Sequence, residues 1–314
     1  MAVSNSSDFT RTRDQLIHRA LRINGVIKAG ATPGAQMVTD MAEALNAMVK
    51  RWQKKPGMRL WAVSEATLFP QVNQVQYALA RSGADHCTQS YVQTATSADE
   101  ASGQTVISIE DTSDITAADY IGIVIDDGTL HWSTVASKNS TTATIADALP
   151  DSAAAGALVF AYTTKIERPL KIVDARRHNI VSGFDTPIRM EARLDYRGLP
   201  NKTQAGQITS IFYDPQLSTG QLSIWQPIGA ITDLLKFTWH RPLMDFDAAG
   251  DNADLPQEWF DAIAFNLAIS TAAEYDVPAD KIAVIAPQAA AYLDDAQGDD
   301  REGESLFFQA DAGP

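Results

Sequence analysis

Apolar residues near the N-terminus recur with the period of an α-helix. Between residues 13 and 27 they fall at intervals of three and four, and Gly25 and Gly30 mark the end of this predicted helix. A second helix is predicted to begin at Thr32 and Pro33, because Thr caps free amide groups and Pro suits the first helical position. Its apolar stripe consists of Met37, Met41, Leu45, Met48 and Trp52.

The pattern then changes to short runs of β-branched and aromatic residues, which predict strands. Three of these lie at 60–63, 66–69 and 75–79. From about residue 93 the chain is rich in Thr, Ser, Ala, Asp and Gly, and five more strands are predicted at 106–109, 120–125, 130–135, 142–145 and 158–162. The Asp-Asp-Gly-Thr sequence at 126–129 predicts a tight hairpin, since Asp-Gly tolerates the positive φ of such turns.

The C-terminal half contains both helical and strand patterns of apolar residues. Residues 170–178 fit either a short helix or a strand and turn, and the pattern alone leaves both open. Strands are predicted at 188–194, 222–225 and 234–239, and residues 210–215 are predicted to form a strand that runs into a turn. One helix is predicted after Pro256 and another from Pro278 to about Leu293.

This order of elements predicts an α+β fold. Helices at both ends of the chain are expected to form one helical bundle, with β hairpins and a small all-β module inserted between them. The predicted domains are a core of helical bundle plus strands at 1–92 and 166–293, an inserted β domain at 93–165 and an acidic C-terminal tail at 294–314.

The net charge of −14 is concentrated in two segments. Residues 93–165 hold ten acidic and two basic side chains, and residues 294–314 hold seven acidic side chains and Arg301. An acidic surface repels phosphate, which argues against tight nucleic-acid binding but allows DNA to slide past it. The single cysteine, Cys87, excludes an intramolecular disulfide and a thiolate zinc cage. With no signal-peptide or membrane-spanning pattern, we expect a soluble protein made in the cytosol.

Three groups of residues invite a chemical interpretation. Asp126, Asp127 and His131 have the donor types of a metal or acid/base cluster, but a hairpin turn also explains them. The acidic residues at 294–304 lack the alternating spacing of a calcium loop, which favours a solvated tail. Cys87 follows His86, yet neighbours in a strand point to opposite faces. No motif of an enzyme, metal site or cofactor site is found, so we predict neither catalysis nor a cofactor.

Tryptophans offer a further alternative. The six Trp side chains can in principle stack on sugars or bases, although most lie on apolar stripes that favour core packing. The stripe of Met37, Met41 and Met48 is interpreted either as core or as a helix-to-helix interface between subunits.

Several phrases of the sequence, taken in order, resemble a known family. They are the residues 14–23 (DQLIHRALRI), 44–52 (ALNAMVKRW), 60–61 (LW), 222–227 (LSIWQP) and 255–268 (LPQEWFDAIAFNLA). This pattern resembles the head-to-tail adaptors of short-tailed phages, also called packaged-DNA stabilisation or tail accessory factors. The resemblance covers residues 8–92 and 166–293, and the β module at 93–165 departs from a minimal adaptor.

The resemblance implies a structural virion protein rather than an enzyme. Such adaptors form a ring, usually of twelve copies, below the portal protein, retain the packaged DNA and connect to tail proteins such as the nozzle and fibres. By this resemblance the DNA passes through the lumen without sequence-specific binding, and no membrane partner is expected. The candidate portal contacts are Leu306, Phe307 and Phe308, and the candidate ring-interface residues are Met37, Met41, Met48 and Trp52.

Two other functions compete with the adaptor. One is a carbohydrate-binding or host-recognition tail protein that acts through the β module, with Trp132 and its acidic loops. The other is a cell-wall hydrolase with a carboxylate pair, although no pair of acids has a motif around it. The adaptor interpretation predicts assembly on a portal, whereas the second predicts glycan binding that Trp132→Ala abolishes.

Overall fold

The computed structural model describes residues 6–53 and 62–298. Within these ranges the helices are α1 Arg13–Asn24, α2 Ala35–Trp52, α3 Arg193–Gly198, α4 Trp259–Thr271 and α5 Ala279–Gly298. The strands are β1 Val63–Leu68, β2 Gln76–Leu79, β3 Cys87–Thr88, β4 Val92–Ala95, β5 Val106–Ser108, β6 Tyr120–Val124, β7 Leu130–Lys138, β8 Thr142–Ile145, β9 Leu158–Tyr162, β10 Lys171–Asn179, β11 Asp185–Pro187, β12 Arg189–Met190, β13 Ser210–Asp214, β14 Gly220–Trp225 and β15 Asp233–His240. The chain divides into two compact units, one made of residues 1–62 and 243–314 and the other of residues 63–242.

The first unit is helical. Helix α1 begins with a capping box, in which the Thr12 hydroxyl accepts from the amide of Gln15 and the Gln15 side chain accepts from the amide of Thr12. It ends at Gly25, whose φ of 71° is the left-handed conformation that glycine adopts most easily. The apolar sides of α1, α2 and α4 pack into one hydrophobic cluster, which also receives Leu293 from α5.

Two sheets of the second unit share a second hydrophobic cluster. The five-stranded sheet has the order β11-β10-β15-β1-β3, and the four-stranded sheet has the order β12-β13-β14-β2. Strand β15 lies at the centre of the first sheet and is antiparallel to both of its neighbours. Its buried Leu235, Phe237 and Trp239 alternate with less buried residues, which is the pattern of a sheet with one covered face.

The third sheet has six strands in the order β4-β9-β6-β7-β8-β5 and curls into a half-barrel. Thr96, which follows β4, forms an isolated antiparallel bridge with Ile109, which follows β5, so the ends of the two edge strands approach each other. Isoleucines from several strands fill the inside of this curled sheet, among them Ile107, Ile121 and Ile123. The link between β6 and β7 is the turn at 126–129.

The predicted fold class is wrong. The protein is mostly β-sheet, with three sheets and five helices in the described ranges, and not a helical bundle that carries β hairpins and a small β module. The error lies in pairing between strands that are distant in sequence, because β1, β10 and β15 form one continuous sheet. Of residues 170–178, for which helix and strand were both open, all but Leu170 lie in β10. The predicted division at 93–165 and 294–314 stays a prediction.

Candidate functional site

Aromatic rings accumulate where the six-stranded sheet packs on the ends of β1 and β3. We call Phe69, His86, Trp132, Phe160 and Tyr162 the aromatic cluster. Phe69 is at its centre, with its ring centroid 5.2 Å from those of Trp132 and Phe160 and 5.9 Å from that of Tyr162. The cluster belongs to the same hydrophobic core as the five-stranded sheet, so it fixes the six-stranded sheet to the rest of this unit.

Trp132, the residue considered for sugar stacking, is occupied by contacts within the chain. Its ring stacks on His86 with a centroid distance of 3.8 Å and an angle of 2° between the ring planes. Gly122 is its partner on the neighbouring strand, and a Cβ placed there would lie 2.9 Å from three carbon atoms of the Trp132 ring. The indole therefore lies between the imidazole and the backbone of Gly122, and neither face is left to stack on a sugar.

His86 is held as a neutral base in this cluster. Burial, together with the nearby positive charge of Lys165, lowers its pKa to about 3. Its Nδ1 atom is 2.6 Å from the hydroxyl oxygen of Tyr162, whose own pKa burial raises. Lys165 donates to the carbonyl of Ala84. At neutral pH both His86 and Tyr162 are uncharged, so the pair contributes packing and a hydrogen bond rather than acid/base chemistry.

Of the Asp126, Asp127 and His131 group, the two aspartates lie in the predicted turn and His131 lies in strand β7. Asp126 accepts from the Ser152 hydroxyl at 2.6 Å, and Asp127 accepts from the amide of Thr129 at 2.7 Å. His131 lies away from both, with Nε2 3.4 Å from the carbonyl of Asp147. Across residues 6–53 and 62–298 no group of three or more His, Cys, Asp or Glu residues is arranged to hold a metal ion. The hairpin explanation accounts for these residues.

The candidate ring-interface residues lie in α2. Met41, Met48 and Trp52 are buried in the helical unit's own core, where the Trp52 ring is 6.0 Å from that of Trp259. Because their side chains are covered within one chain, their burial supports the core alternative over contact with a second subunit. Met37 is half-buried at the margin of the same cluster. The candidate portal contacts Leu306, Phe307 and Phe308 lie outside the described residues.

An exposed apolar segment was not singled out by the sequence patterns. We call residues 181–194 the apolar arm. It contains Val181, Phe184 and Leu194, whose side chains are 86%, 74% and 79% exposed, together with Met190. Val181 and Phe184 flank a Ser-Gly turn in the hairpin between β10 and β11, where polar residues are usual. Two large apolar residues on either side of such a turn were the signal in the sequence that could have revealed this exposed segment.

The apolar arm runs along the edges of two sheets. Strand β11 is the outer strand of the five-stranded sheet, and β12 is the outer strand of the four-stranded sheet. The Ile188 amide between them donates to Ala175 of β10, and the Arg189 amide donates to Thr209 beside β13. Edge strands with exposed apolar side chains are templates for association with another chain.

A small polar cavity of about 330 Å³ lies beside the hairpin turn at the start of the apolar arm, where Asn179 accepts from the amide of Ser182. Its lining includes Asn179, Gln207, Thr232 and Asp233. The side-chain amide of Asn179 donates to the nearly buried carboxylate of Asp233 at 2.8 Å, and Arg177 donates to Gln207 at 2.7 Å. The volume is at the lower end of the range for small-molecule sites, and its amide and carboxylate groups suit hydroxyl-bearing ligands.

Comparison with known proteins gives little more. No protein-family model matches the chain, and no curated protein matches it. A solved structure with partial likeness is the Gp54 tailspike of Acinetobacter baumannii bacteriophage AP22 in complex with A. baumannii capsular saccharide. That likeness has a TM-score of 0.20 and 18% identity, and it covers 23% of this chain and 15% of the tailspike. It carries no argument about fold or function. In the described residues no helix is long and apolar enough to cross a membrane.

Proposed function

We propose that the protein is a structural component of a phage tail that works by assembling with other protein chains. The apolar arm is the observation that carries this proposal. Large side chains such as Phe184, just before the edge strand β11, and Leu194, shortly after the edge strand β12, expose most of their surface. Burying each such side chain in an interface is worth roughly 1.5–3 kcal/mol, which is a strong drive toward association.

In finer detail, we propose a head-to-tail adaptor that forms a ring below the portal and connects it to the tail. The phrases that resemble this family lie mainly in α1, α2, β14 and α4. The excess of acidic side chains in residues 93–165 suits a conduit through which DNA passes without sticking. A location at the head-tail junction of the virion, a ring of about twelve copies and the absence of catalysis are parts of this proposal that follow from the resemblance.

Electron microscopy of the full chain mixed with the portal protein of the same virus tests the adaptor. We expect rings of this protein on one end of the portal particles. A second sample with Phe184→Asp separates assembly from portal contact, because it changes the apolar arm and leaves the C-terminal segment intact. Portal particles that remain bare at a large excess of the wild-type chain would contradict the adaptor proposal.

Carbohydrate binding is the second candidate function. The polar cavity is a better candidate for the sugar site than the β module. Amide and carboxylate groups of Asn179, Gln207 and Asp233 suit the hydroxyl groups of a sugar, whereas Trp132 has no free face. A glycan array probed with the wild-type chain tests this function. Binding that Gln207→Ala removes and Gln204→Ala preserves would support it, and an array without signal would dismiss it.

A further inference from the structure

We infer that the apolar arm of one copy docks on the acidic end of the curled six-stranded sheet in a second copy of this chain. The acidic end is defined as the loops that carry Asp99, Asp126, Asp127 and Asp151. This inference deepens the proposed function, on which it rests for the expectation that copies assemble, and it names the two surfaces that meet.

The apolar arm supplies the hydrophobic part of the contact. Val181 and Phe184 project from the hairpin between β10 and β11, and Leu194 from the first turn of α3. Single exposed aliphatic residues are ordinary on protein surfaces, but three side chains more than 70% exposed within 14 residues concentrate apolar surface on this segment. An aromatic residue amid aliphatic ones is typical of the energetic centre of an interface.

The chain segment that contains this apolar surface has a small excess of basic side chains. Residues 171–202 contain seven Lys or Arg and four Asp or Glu. Arg193 pairs with Asp214 at 2.6 Å, whereas Arg189 and Arg197 are exposed and form no ion pair with any described residue. Two arginines without a counter-charge in a segment with exposed apolar side chains favour a partner that is negatively charged.

The acidic end has the complementary charge. Asp99 accepts from the amide of Ala155 at 2.8 Å, and Asp126 accepts from the amide of Ala154 at 3.0 Å, so the loops of these aspartates lie together. Asp127 follows Asp126 in the same turn, and hydrogen bonds from Thr129 lower its pKa and keep it ionised. Asp99, Asp126 and Asp127 are exposed. Residues 93–165 have ten acidic side chains against two basic ones, and of the two acidic segments this one lies wholly within the described residues, so charge complementarity favours it as the occupant.

The two surfaces differ, which determines the kind of assembly. Both are exposed within one chain, so they do not cover each other there. A contact between unlike surfaces is head-to-tail, and each copy keeps one free surface after a pair has formed. Repetition of such a contact gives a closed ring when the rotation between copies closes and a filament when it does not.

Complementation between two defective variants tests this arrangement. The arm variant is Phe184→Asp, and the acidic-end variant replaces Asp99, Asp126, Asp127 and Asp151 by Asn, which removes the charge and leaves one acceptor oxygen in each side chain. The control is Leu217→Asp, at an apolar side chain that is 96% exposed but lies outside the apolar arm. Sedimentation equilibrium measures mass, and circular dichroism checks that each variant is folded.

We expect the wild-type chain and Leu217→Asp to associate equally. Each defective variant should dissociate at least about tenfold more readily, because an interface loses a buried aromatic or its charge complement. An equimolar mixture of the two should form a two-copy species with near wild-type affinity, since one intact arm and one intact acidic end remain. A mixture that stays monomeric, or a wild-type chain that is monomeric at its highest soluble concentration, overturns the inference.

The test also separates this inference from the proposed function. Complementation together with bare portal particles would remove the adaptor proposal and leave the head-to-tail contact standing. Rings on the portal that Phe184→Asp and the acidic-end variant leave unchanged would keep the adaptor proposal and overturn the contact. Unchanged self-association in both variants would likewise place the interface on another surface.

Discussion

The aromatic cluster and the apolar arm have similar residues and opposite environments. In the cluster, Phe69 is buried and surrounded by other rings, and Trp132 is covered on both faces. In the arm, Phe184 and Leu194 are exposed to solvent. A large aromatic side chain is therefore evidence of a binding surface only where its contacts within the chain are missing. Trp132, which was considered for sugar stacking, is part of the protein core. Phe184, beside a turn, is the better candidate for contact with another chain.

Removing the centre of the aromatic cluster should have the largest effect. Phe69→Ala deletes a buried ring that contacts Trp132, Phe160 and Tyr162, and such substitutions cost about 3–5 kcal/mol. Urea unfolding followed by near-ultraviolet circular dichroism measures the loss. Phe69→Leu is the matched control and should lose clearly less. A loss below about 1 kcal/mol for Phe69→Ala would show that the cluster does not hold the sheet in place.

Adding one methyl group at Gly122 tests whether the backbone of this residue packs against the Trp132 ring. Gly122→Ala places a carbon 2.9 Å from the indole, which is stacked on His86 and has little room to move, so we expect a loss of about 1–3 kcal/mol. Gly198→Ala has open space around the new carbon and should be nearly neutral. In a Trp132→Leu background Gly122→Ala should cost less, because the ring is gone. Equal costs in both backgrounds would refute the contact.

Acid should weaken the aromatic cluster through His86. Its folded pKa of about 3 lies below the unfolded value near 6.5, so between these values the unfolded chain binds a proton that the folded chain does not. The contribution is fully present above about pH 6.5 and is lost as the pH falls, by up to about 1.4 kcal/mol per pH unit. His86→Gln should show a shallower decrease over pH 6.5 to 4 in unfolding experiments. Parallel pH curves for the two proteins would argue against a buried neutral imidazole.

Truncation in the apolar arm should have the smallest effect on stability. Phe184→Ala removes a ring that is mostly in solvent, and we expect the free energy of unfolding to change by less than about 0.5 kcal/mol. Leu194→Ala should behave alike. Thermal unfolding of dilute protein, at concentrations where copies are separate, measures this. Destabilisation comparable to that of Phe69→Ala would mean that the arm is part of the core.

Local patterns in the sequence were sufficient for many individual elements. The period of three and four residues and the glycine at position 25 placed α1, and the Asp-Gly turn at 126–129 placed the hairpin of β6 and β7. These signals act over a few residues and need no knowledge of tertiary contacts. The fold class was wrong because β15 pairs with β1 and β10, which are remote in sequence, and no local pattern specifies such partners.

The candidate site was harder to predict for a related reason. Exposure is a property of the folded chain, so Trp52 and Phe184 are both plausible interface residues in the sequence, yet one is buried and the other is open. The stripe at Met37, Met41, Met48 and Trp52 was recognised correctly as apolar, but its alternatives of core and subunit interface depend on which other helix covers it. The apolar stripe is covered by α4, a helix from the opposite end of the chain.

Hydrogen–deuterium exchange on the assembled and the separated chain tests the central claim most directly, because it locates the surface that association covers. We predict slower exchange in the assembly at residues 181–194 and in the loops that carry Asp99, Asp126 and Asp127, with the aromatic cluster unchanged. Slower exchange confined to other regions, or equal exchange in both states at the apolar arm, would contradict the claim that this protein assembles through that surface.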